Sequence, residues 1–206
     1  MVRQLLRDHN ARATFFLIGQ RVREHPEEAR AIVADGHEVG SHTLTHPRLT
    51  DLDEGEARRE IEEGVAAVEE VLGTRPRLFR PPGFHADDRV LAIVAELGLD
   101  AVFADVDPCD WQPGLVSHAI LSRVLASCDA GCVVDLHDGY PPPPTRSRDD
   151  CTPTVEALGH LLPAFVRLGY ELVTVSELRV HAAHDSAGVG ASRSATTASP
   201  ISSPPE

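Results

Sequence analysis

The sequence contains no lysine: all 19 basic residues among its 206 are arginine, and the chain also has 32 acidic residues. The formal net charge of -13 excludes the broad basic surface that binds a nucleic-acid backbone, so we expect no nucleic-acid partner. Aromatic residues are also scarce, at 4% of the chain with a single tryptophan. The hydrophobic fraction of 42% is still sufficient for the core of one globular domain.

Long apolar runs are missing as well. No stretch approaches the roughly 18 consecutive apolar residues of a membrane span, and the first 19 residues are too charged for a secretory signal. We therefore expect no membrane-spanning segment, and the location of the protein stays open. The four cysteines (Cys109, Cys128, Cys132 and Cys151) include no Cys-x-x-Cys pair. They could form two disulfides in an oxidising compartment, and free thiols fit equally well.

Six short apolar segments alternate with helical segments along the chain. The predicted strands are residues 13–18, 37–41, 77–82, 99–106, 132–137 and 170–175. The predicted helices are residues 26–35, 53–72, 86–97, 115–128 and 153–168, of which the second begins with a capping box at Asp53 and Glu56. This alternation predicts a parallel α/β fold, with a closed barrel and an open sheet both compatible.

The last residues differ in composition from the rest of the chain. They are small, polar and proline-bearing, and they lack the apolar side chains that would pack against a core. We therefore predict one folded domain over residues 1–182 and a disordered tail over residues 183–206. We expect the domain to be a monomer.

Polar residues follow four of the predicted strands, at the edge where parallel α/β folds place their sites. They are His42 and His46 after the second strand, Arg80 at the third, Asp107, Asp110 and Trp111 after the fourth, and His137 at the fifth. Each has a structural explanation by itself, such as exposed histidines, a rigid turn or a core tryptophan. Their occurrence together at one predicted edge favours a functional site, and a histidine pair four residues apart can bind zinc.

Five segments, in this order, resemble the polysaccharide deacetylases with a NodB-homology domain, carbohydrate esterase family four. They are NARATFFLIGQRV (10–22), GHEVGSHTLTHP (36–47), FRPPGF (79–84), DPCDW (107–111) and VVDLHDG (133–139). The resemblance implies a deformed (β/α) barrel and a hydrolase that removes N-acetyl groups from N-acetylglucosamine-containing polymers or oligomers, of chitin or peptidoglycan type. It also implies a divalent metal, zinc or alternatively cobalt. Members of the family are often exported or associated with the cell wall.

The same resemblance assigns roles to single residues. His42 and His46 would bind the metal, His137 would protonate the departing sugar amine, Asp107 would orient the His137 ring, and Arg80 would orient the catalytic base. A metal held in this way activates water and polarises the amide oxygen.

Four further residues would contact the substrate: Trp111, Gly83, Phe84 and Asp110. Trp111 would wall the pocket for the acetyl methyl group, and the backbone N–H of Gly83 would hold the oxyanion. The chain departs from the family here, because the family often has tyrosine where Gly83 and Phe84 stand. Asp135 replaces a common leucine, which would make the pocket wall more polar.

A larger departure concerns the start of the chain. Family members carry an earlier strand with two aspartates, the general base and the third metal ligand, and nothing in residues 1–12 matches it. The resemblance therefore implies a barrel without its first strand, a misassigned gene start, and an exposed edge at residues 13–18. We expect little activity from this chain alone unless another residue replaces the base. The alternatives are a catalytically impaired carbohydrate-binding relic and a hydrolase of small or cyclic amides.

Overall fold

The structure is a computed structural model that describes residues 1–139 and 151–188. Its centre is a parallel sheet of four short strands in sequential order: β1 (Thr14–Leu17), β2 (Glu38–Ser41), β3 (Leu78–Phe79) and β4 (Asp100–Ala101). Beyond β4, an isolated parallel bridge joins Val106 to Val134. The predicted parallel α/β architecture is therefore confirmed.

The helices α1 to α8 lie between and after the strands. They are Val2–Asp8, Gly19–Glu24, Pro26–Ala34, Glu54–Leu72, Asp88–Glu96, Ser117–Ser127, Thr152–Arg167 and Val175–Gly188. The five predicted helices are all present, as α3 to α7. The short helix α2 and the last helix α8 were not predicted. None of the described helices is long and apolar enough to cross a membrane.

Two predicted strands are not strands in the structure. Segment 132–137 contributes only the bridge at Val134, and segment 170–175 forms no strand. Segment 170–175 still lies beside the start of β1, because Arg12 N donates to Leu172 O at 2.9 Å and Val175 N donates to Thr14 Oγ1 at 2.9 Å. A strand needs a continuous ladder of backbone partners, and here one of the acceptors is a side chain.

The boundary predicted for the tail is also displaced. Helix α8 continues to Gly188, so residues 183–188 are helical where a disordered tail was predicted. The segment after Val180 contains several alanines, the residue with the highest helix propensity, which explains the extension. Residues 189–206, the rest of the predicted tail, lie outside the described residues.

Helix α4 is the element that joins the core to the site. Its capping box at Asp53 and Glu56 is formed, and it ends at Gly73 with a φ of 70°. Its apolar stripe, which includes Ile61 and Val65, is fully buried against the sheet and α5. At Gly64, on the same buried side, it packs closely against the loop that follows β2, where an added Cβ would lie 2.4 Å from the backbone carbon of Thr43. The helix therefore supports the loop that carries the histidine pair.

One disulfide, between Cys128 and Cys132, connects the end of α6 to the segment before Val134. Cys109 and Cys151 are not part of it. Of the alternatives left open by the sequence, the structure thus contains one bridge in its described part.

Candidate active site

A cleft of about 1240 Å³ runs along β1 and reaches the residues that follow the strands. Every residue predicted for the site lines it except Asp110: His42, His46, Arg80, Gly83, Phe84, Asp107, Trp111 and His137. Asp135 lines it too. The topology therefore brings together side chains from the ends of four successive parallel segments, as a parallel sheet does.

His42 and His46 lie on an irregular loop after β2, not on a helix. Thr43 and His46 both have positive φ angles, 65° and 69°, a conformation that is uncommon for residues other than glycine. Thr43 Oγ1 stabilises the loop, because it accepts from His46 N at 3.0 Å and donates to His42 O at 2.5 Å. The result is a T-shaped pair of imidazoles with ring centroids 4.7 Å apart.

The two imidazoles are held in the neutral form. Burial lowers the pKa of His42 to about 3, with a further contribution from His46. Burial and the nearby His137 also lower the pKa of His46. The Nδ1–H of His42 donates to the carbonyl oxygen of Arg80 at 2.6 Å, which leaves its Nε2 lone pair available. A neutral imidazole fixed by a carbonyl on its other nitrogen is the usual arrangement of a histidine metal ligand.

The histidine pair therefore offers the right type of ligand for zinc, but the described residues do not offer the usual number of ligands. Zinc in proteins takes nitrogen ligands such as these, most often three or four from the protein. Among residues 1–139 and 151–188, no group of three or more His, Cys, Asp or Glu side chains is placed to hold a metal ion. Among the described residues, the histidine pair could contribute two ligands.

His137 forms a second centre, with Asp110 as its partner. The Nδ1–H of His137 donates to Asp110 Oδ1 at 2.7 Å, and the His137 backbone N–H donates to Asp110 Oδ2 at 2.8 Å. Thr154 Oγ1 on α7 also donates to Asp110 Oδ2, at 2.8 Å. These three hydrogen bonds fix the carboxylate and, through it, the tautomer and the orientation of the imidazole.

The electrostatic setting favours a protonated His137. Burial by itself lowers the pKa of His137, but the Asp110 hydrogen bond and the charges of Asp135, Asp110 and Asp107 outweigh it and raise the pKa above its ordinary value. Burial raises the pKa of Asp110, and its hydrogen bonds with His137 and Thr154 overcome this and lower it. An imidazolium beside an ionised carboxylate is a suitable general acid.

This geometry corrects two predicted roles. Asp110, and not Asp107, is hydrogen-bonded to His137 and orients its ring. The Asp110 side chain is fully buried and does not line the cleft, so the structure places it behind His137 and away from the predicted position of the substrate. Asp107 instead accepts from Cys109 N at 2.7 Å and acts on His137 only through its charge. The motif DPCDW offers two aspartates, and which one reaches the histidine depends on the turn between them.

Arg80 forms a buried ion pair with Asp135. Both residues are less than a tenth exposed, and the guanidinium carbon lies 4.2 Å from the centroid of the Phe16 ring and 5.5 Å from that of Phe84. Burial lowers the pKa of Arg80, opposed by the charge of Asp135. Burial raises the pKa of Asp135, opposed by Arg80 and His137. The carboxylate that Arg80 contacts is thus Asp135.

Trp111 and Phe84 line the cleft, and Phe103 lies beside Phe84 without lining it. Trp111 is 39% exposed and Phe103 is 44% exposed, and the Phe103 ring centroid lies 6.3 Å from that of Phe84. Gly83 and Phe84 form a tight turn after Pro82, in which both have φ near 59°. Exposed aromatic faces of this kind can stack against the apolar face of a sugar ring, so the predicted substrate contacts of Trp111, Gly83 and Phe84 remain predictions.

Sequence reasoning assigned no catalytic role to two residues of the site, Asp135 and Thr154. Asp135 had a usable signal, because it stands two residues before His137 and extended residues two apart share a face. Thr154 had none, since it reaches Asp110 from a helix 44 residues further along the chain.

Known proteins share both this sequence and this fold. The family profile described as polysaccharide deacetylase matches residues 2–102. A chitooligosaccharide deacetylase from Bradyrhizobium sp. is 43% identical over 183 residues, which cover 86% of this chain and 82% of that protein. The structure of the peptidoglycan deacetylase PdaC from Bacillus subtilis aligns with a TM-score of 0.80 and 30% identity, over 91% of this chain and 85% of that one.

A third likeness is to a protein described as a pseudoenzyme of carbohydrate esterase family four, from Bacillus anthracis. Its structure aligns with a TM-score of 0.75 and 29% identity, over 86% of this chain and 58% of that one. The sequence identities, the aligned folds and the profile agree with one another. This chain therefore belongs to the polysaccharide deacetylase family, with the (β/α)-barrel fold of the NodB-homology type.

Proposed function

We propose that the protein is a metal-dependent deacetylase that hydrolyses N-acetyl groups of N-acetylglucosamine-containing oligosaccharides or polysaccharides, of chitin or peptidoglycan type. The observation that carries this proposal is the pair of centres in one cleft. The half-buried His137, held by the buried Asp110, would supply a proton donor, and two neutral imidazoles at His42 and His46 would supply metal ligands. The names of the relatives, chitooligosaccharide deacetylase and peptidoglycan deacetylase, supply the substrate class.

Different residues of the chain would donate the proton, border the substrate and bind the metal ion. Deacetylation needs a proton for the amide nitrogen before the carbon–nitrogen bond can break, and His137 is placed to give it from Nε2 while Asp110 holds Nδ1. Trp111 and the Gly83–Phe84 turn border the cleft where the acetylated sugar would lie. When bound, a divalent ion at His42 and His46 would supply Lewis acidity toward the amide oxygen.

The test of the activity is acetate release from penta-N-acetylchitopentaose and from peptidoglycan fragments, with added Zn²⁺ or Co²⁺. His137→Ala should lower kcat by about 10²–10⁴-fold and leave KM within a few-fold, because a proton donor acts in the transition state. His118→Ala is the matched control, since His118 is an exposed histidine on α6. Equal rates for His137→Ala and the wild-type chain would contradict the assignment.

The metal has a separate test by calorimetry. Because the described residues offer two histidine ligands and no third, we expect weak Zn²⁺ binding that is lost in both His42→Ala and His46→Ala and kept in His118→Ala. Tight binding that survives both substitutions, or a zinc site at the cysteines, would contradict the proposed site.

The second candidate is a non-hydrolysing carbohydrate-binding protein, favoured by the likeness to the Bacillus anthracis pseudoenzyme. It predicts chitopentaose binding by the wild-type chain that depends on Trp111 and is unchanged by His137→Ala, together with no acetate release on any substrate. Calorimetry with the sugar and the acetate assay together separate the two candidates.

A further inference from the structure

Asp135 is a buried charge that stability does not explain. It interrupts the apolar segment CVVDLH, it is 6% exposed, and its partner Arg80 is 8% exposed. Removing two charges from water costs about as much as their attraction returns, so a buried ion pair adds little net stability compared with apolar residues. In addition, the buried Arg80 Nε has no hydrogen-bond partner among the described residues. Because burying this ion pair costs free energy and adds little net stability, its position at the wall of a cleft indicates a functional role.

The position of Asp135 relative to His137 supplies one. Its Oδ1 accepts from Arg80 Nη1, while its Oδ2 lies 3.7 Å from His137 Nε2. The opposite nitrogen of the same ring, Nδ1, is bonded to Asp110. The imidazole thus lies between two carboxylates, and the second of them is beside the nitrogen that would donate to the leaving amine.

We propose that Asp135 is the catalytic base of the deacetylation, an inference that rests on the proposed function. The Asp135 carboxylate takes one proton from water as the water oxygen bonds to the acetyl carbon, and the carbonyl electron pair moves to the amide oxygen. His137 Nε2 then gives its proton to the amide nitrogen, and the carbon–nitrogen bond breaks with its electron pair on nitrogen. The products are acetic acid and the amine, and the proton on Asp135 returns to His137 through the 3.7 Å gap or one bridging water.

Two other aspartates near His137 are less suited to this role. Asp110 is fully buried and already accepts three hydrogen bonds, so it has no access to a water in the cleft. Asp107 is exposed and is engaged by Cys109 N. Asp135 faces the cleft, and burial raises its pKa, which makes its carboxylate a stronger proton acceptor than one in water. Asp138, exposed and also at the cleft, is the remaining competitor and is included in the test.

Asp135 would supply a base from within the described residues. It reaches the site from the segment that also carries His137, so both proton-transfer groups come from one extended stretch, two residues apart.

The test compares Asp135→Asn, Asp138→Asn and Asp88→Asn with the wild-type chain in acetate release from penta-N-acetylchitopentaose, with added Zn²⁺. Asp135→Asn should lower kcat by about 10²–10⁴-fold with little change in KM, because the amide keeps the size and an acceptor for Arg80 but takes up no proton. Asp88→Asn makes the same chemical change at an exposed position on α5 and should leave the rate unchanged. Asp138→Asn should have a small effect.

The pH profile separates a base from a purely structural partner. Four charged groups act on Asp135: Arg80, His137, Asp107 and Asp110. In the wild-type chain kcat/KM should fall at acid pH as Asp135 is protonated, and this acid limb should disappear in Asp135→Asn. If Asp135 had only a structural role, kcat/KM of Asp135→Asn would still fall at acid pH. Azide or formate added to Asp135→Ala should restore part of the rate, because a small anion can take the place of the missing carboxylate.

Folding is checked by the thermal transition of each variant. If Asp135→Asn does not fold, Asp135→Glu decides, because it keeps a carboxylate beside Arg80 but displaces its oxygens. A folded Asp135→Glu in which the acid limb of kcat/KM is shifted supports the inference, and an acid limb at the wild-type position overturns it. An active wild-type chain whose rate survives Asp135→Asn, or is lost in Asp138→Asn instead, overturns the role of Asp135 and leaves the proposed function intact. A wild-type chain that releases no acetate overturns both.

Discussion

At the scale of single residues, the site depends on which carboxylate reaches which nitrogen of His137. Asp110 bonds Nδ1 and Asp135 lies beside Nε2, while Asp107 acts only through its charge. All three favour the imidazolium form, and together they outweigh the burial that would lower its pKa. The raised pKa of His137 stabilises the folded chain fully below the ordinary imidazole pKa of about 6.5, and this stabilisation is lost as the pH rises through the raised value.

Asp110→Asn should therefore change the pKa of His137 more than Asp107→Asn does. Asp110→Asn removes both a hydrogen bond and a charge, so it should lower the pKa of His137 and move the alkaline limb of kcat/KM to lower pH. Asp107→Asn removes a charge alone and should shift the limb less. The His137 pKa can be followed directly by NMR titration of the ring Cε1 proton, independently of activity. A larger shift in Asp107→Asn than in Asp110→Asn would restore the pairing first inferred from the sequence.

At the scale of elements, α4 sets the position of the histidine loop. Its glycine at position 64 lets the helix approach the loop backbone at Thr43, and an added Cβ would lie 2.4 Å from the Thr43 carbon and 2.8 Å from Leu44 N. Backbone atoms cannot yield as the end of a flexible side chain can. The loop is also tied to the helix by Glu60, whose side chain accepts from the backbone N–H of Thr45 at 2.9 Å.

Gly64→Ala should consequently destabilise the protein by about 1–3 kcal/mol, the usual range for an overpacked interior. Zn²⁺ binding should weaken in the fraction that remains folded, because the displaced loop carries His42 and His46. Gly55→Ala in the first turn of the same helix is the control: its nearest contact would be 3.4 Å, and replacing an exposed helix glycine should be neutral or stabilising by up to about 1 kcal/mol. Urea unfolding measures both, and equal stability of the two variants would show that the loop adapts.

At the scale of the whole molecule, the sheet has an open side. Strand β1 lies at the edge of the four-stranded order, its four residues are only partly buried, and they line the large cleft together with apolar residues of α7 such as Leu158 and Leu162. An edge strand with apolar side chains offers unpaired backbone groups to other chains. β1 is thus the terminal strand of the described sheet, with segment 170–175 beside its start.

The chain of 206 residues should for this reason unfold below about 65 °C, within or under the usual range of mesophilic domains, and should aggregate increasingly with concentration. Scanning calorimetry and light scattering over a concentration series measure the two properties. A cooperative transition of the monomer above that temperature would mean that the open side is closed by contacts other than those described.

The sequence by itself determined the parallel α/β class, the five longer helices, the family and most of the residues that line the cleft. These follow from local information: the apolar periodicity of α4 to α7, the capping box at Asp53, and motifs whose residues lie within a few positions of one another. The strand prediction failed for segments 132–137 and 170–175. Both segments have the composition of a strand, but neither has a continuous ladder of backbone hydrogen bonds to a neighbour.

Only the tertiary structure decided which groups meet. The choice of Asp110 over Asp107 depends on the backbone path through Pro108 and Cys109. The contact of Thr154 with Asp110 joins positions 44 residues apart, and the pairing of Arg80 with Asp135 joins positions 55 apart. Each contact depends on how separate segments pack around the same cleft, and its energy depends on burial that no local pattern contains. The role proposed for Asp135 follows from that packing, because it depends on the contacts of Asp135 with Arg80 and His137, which the sequence does not show.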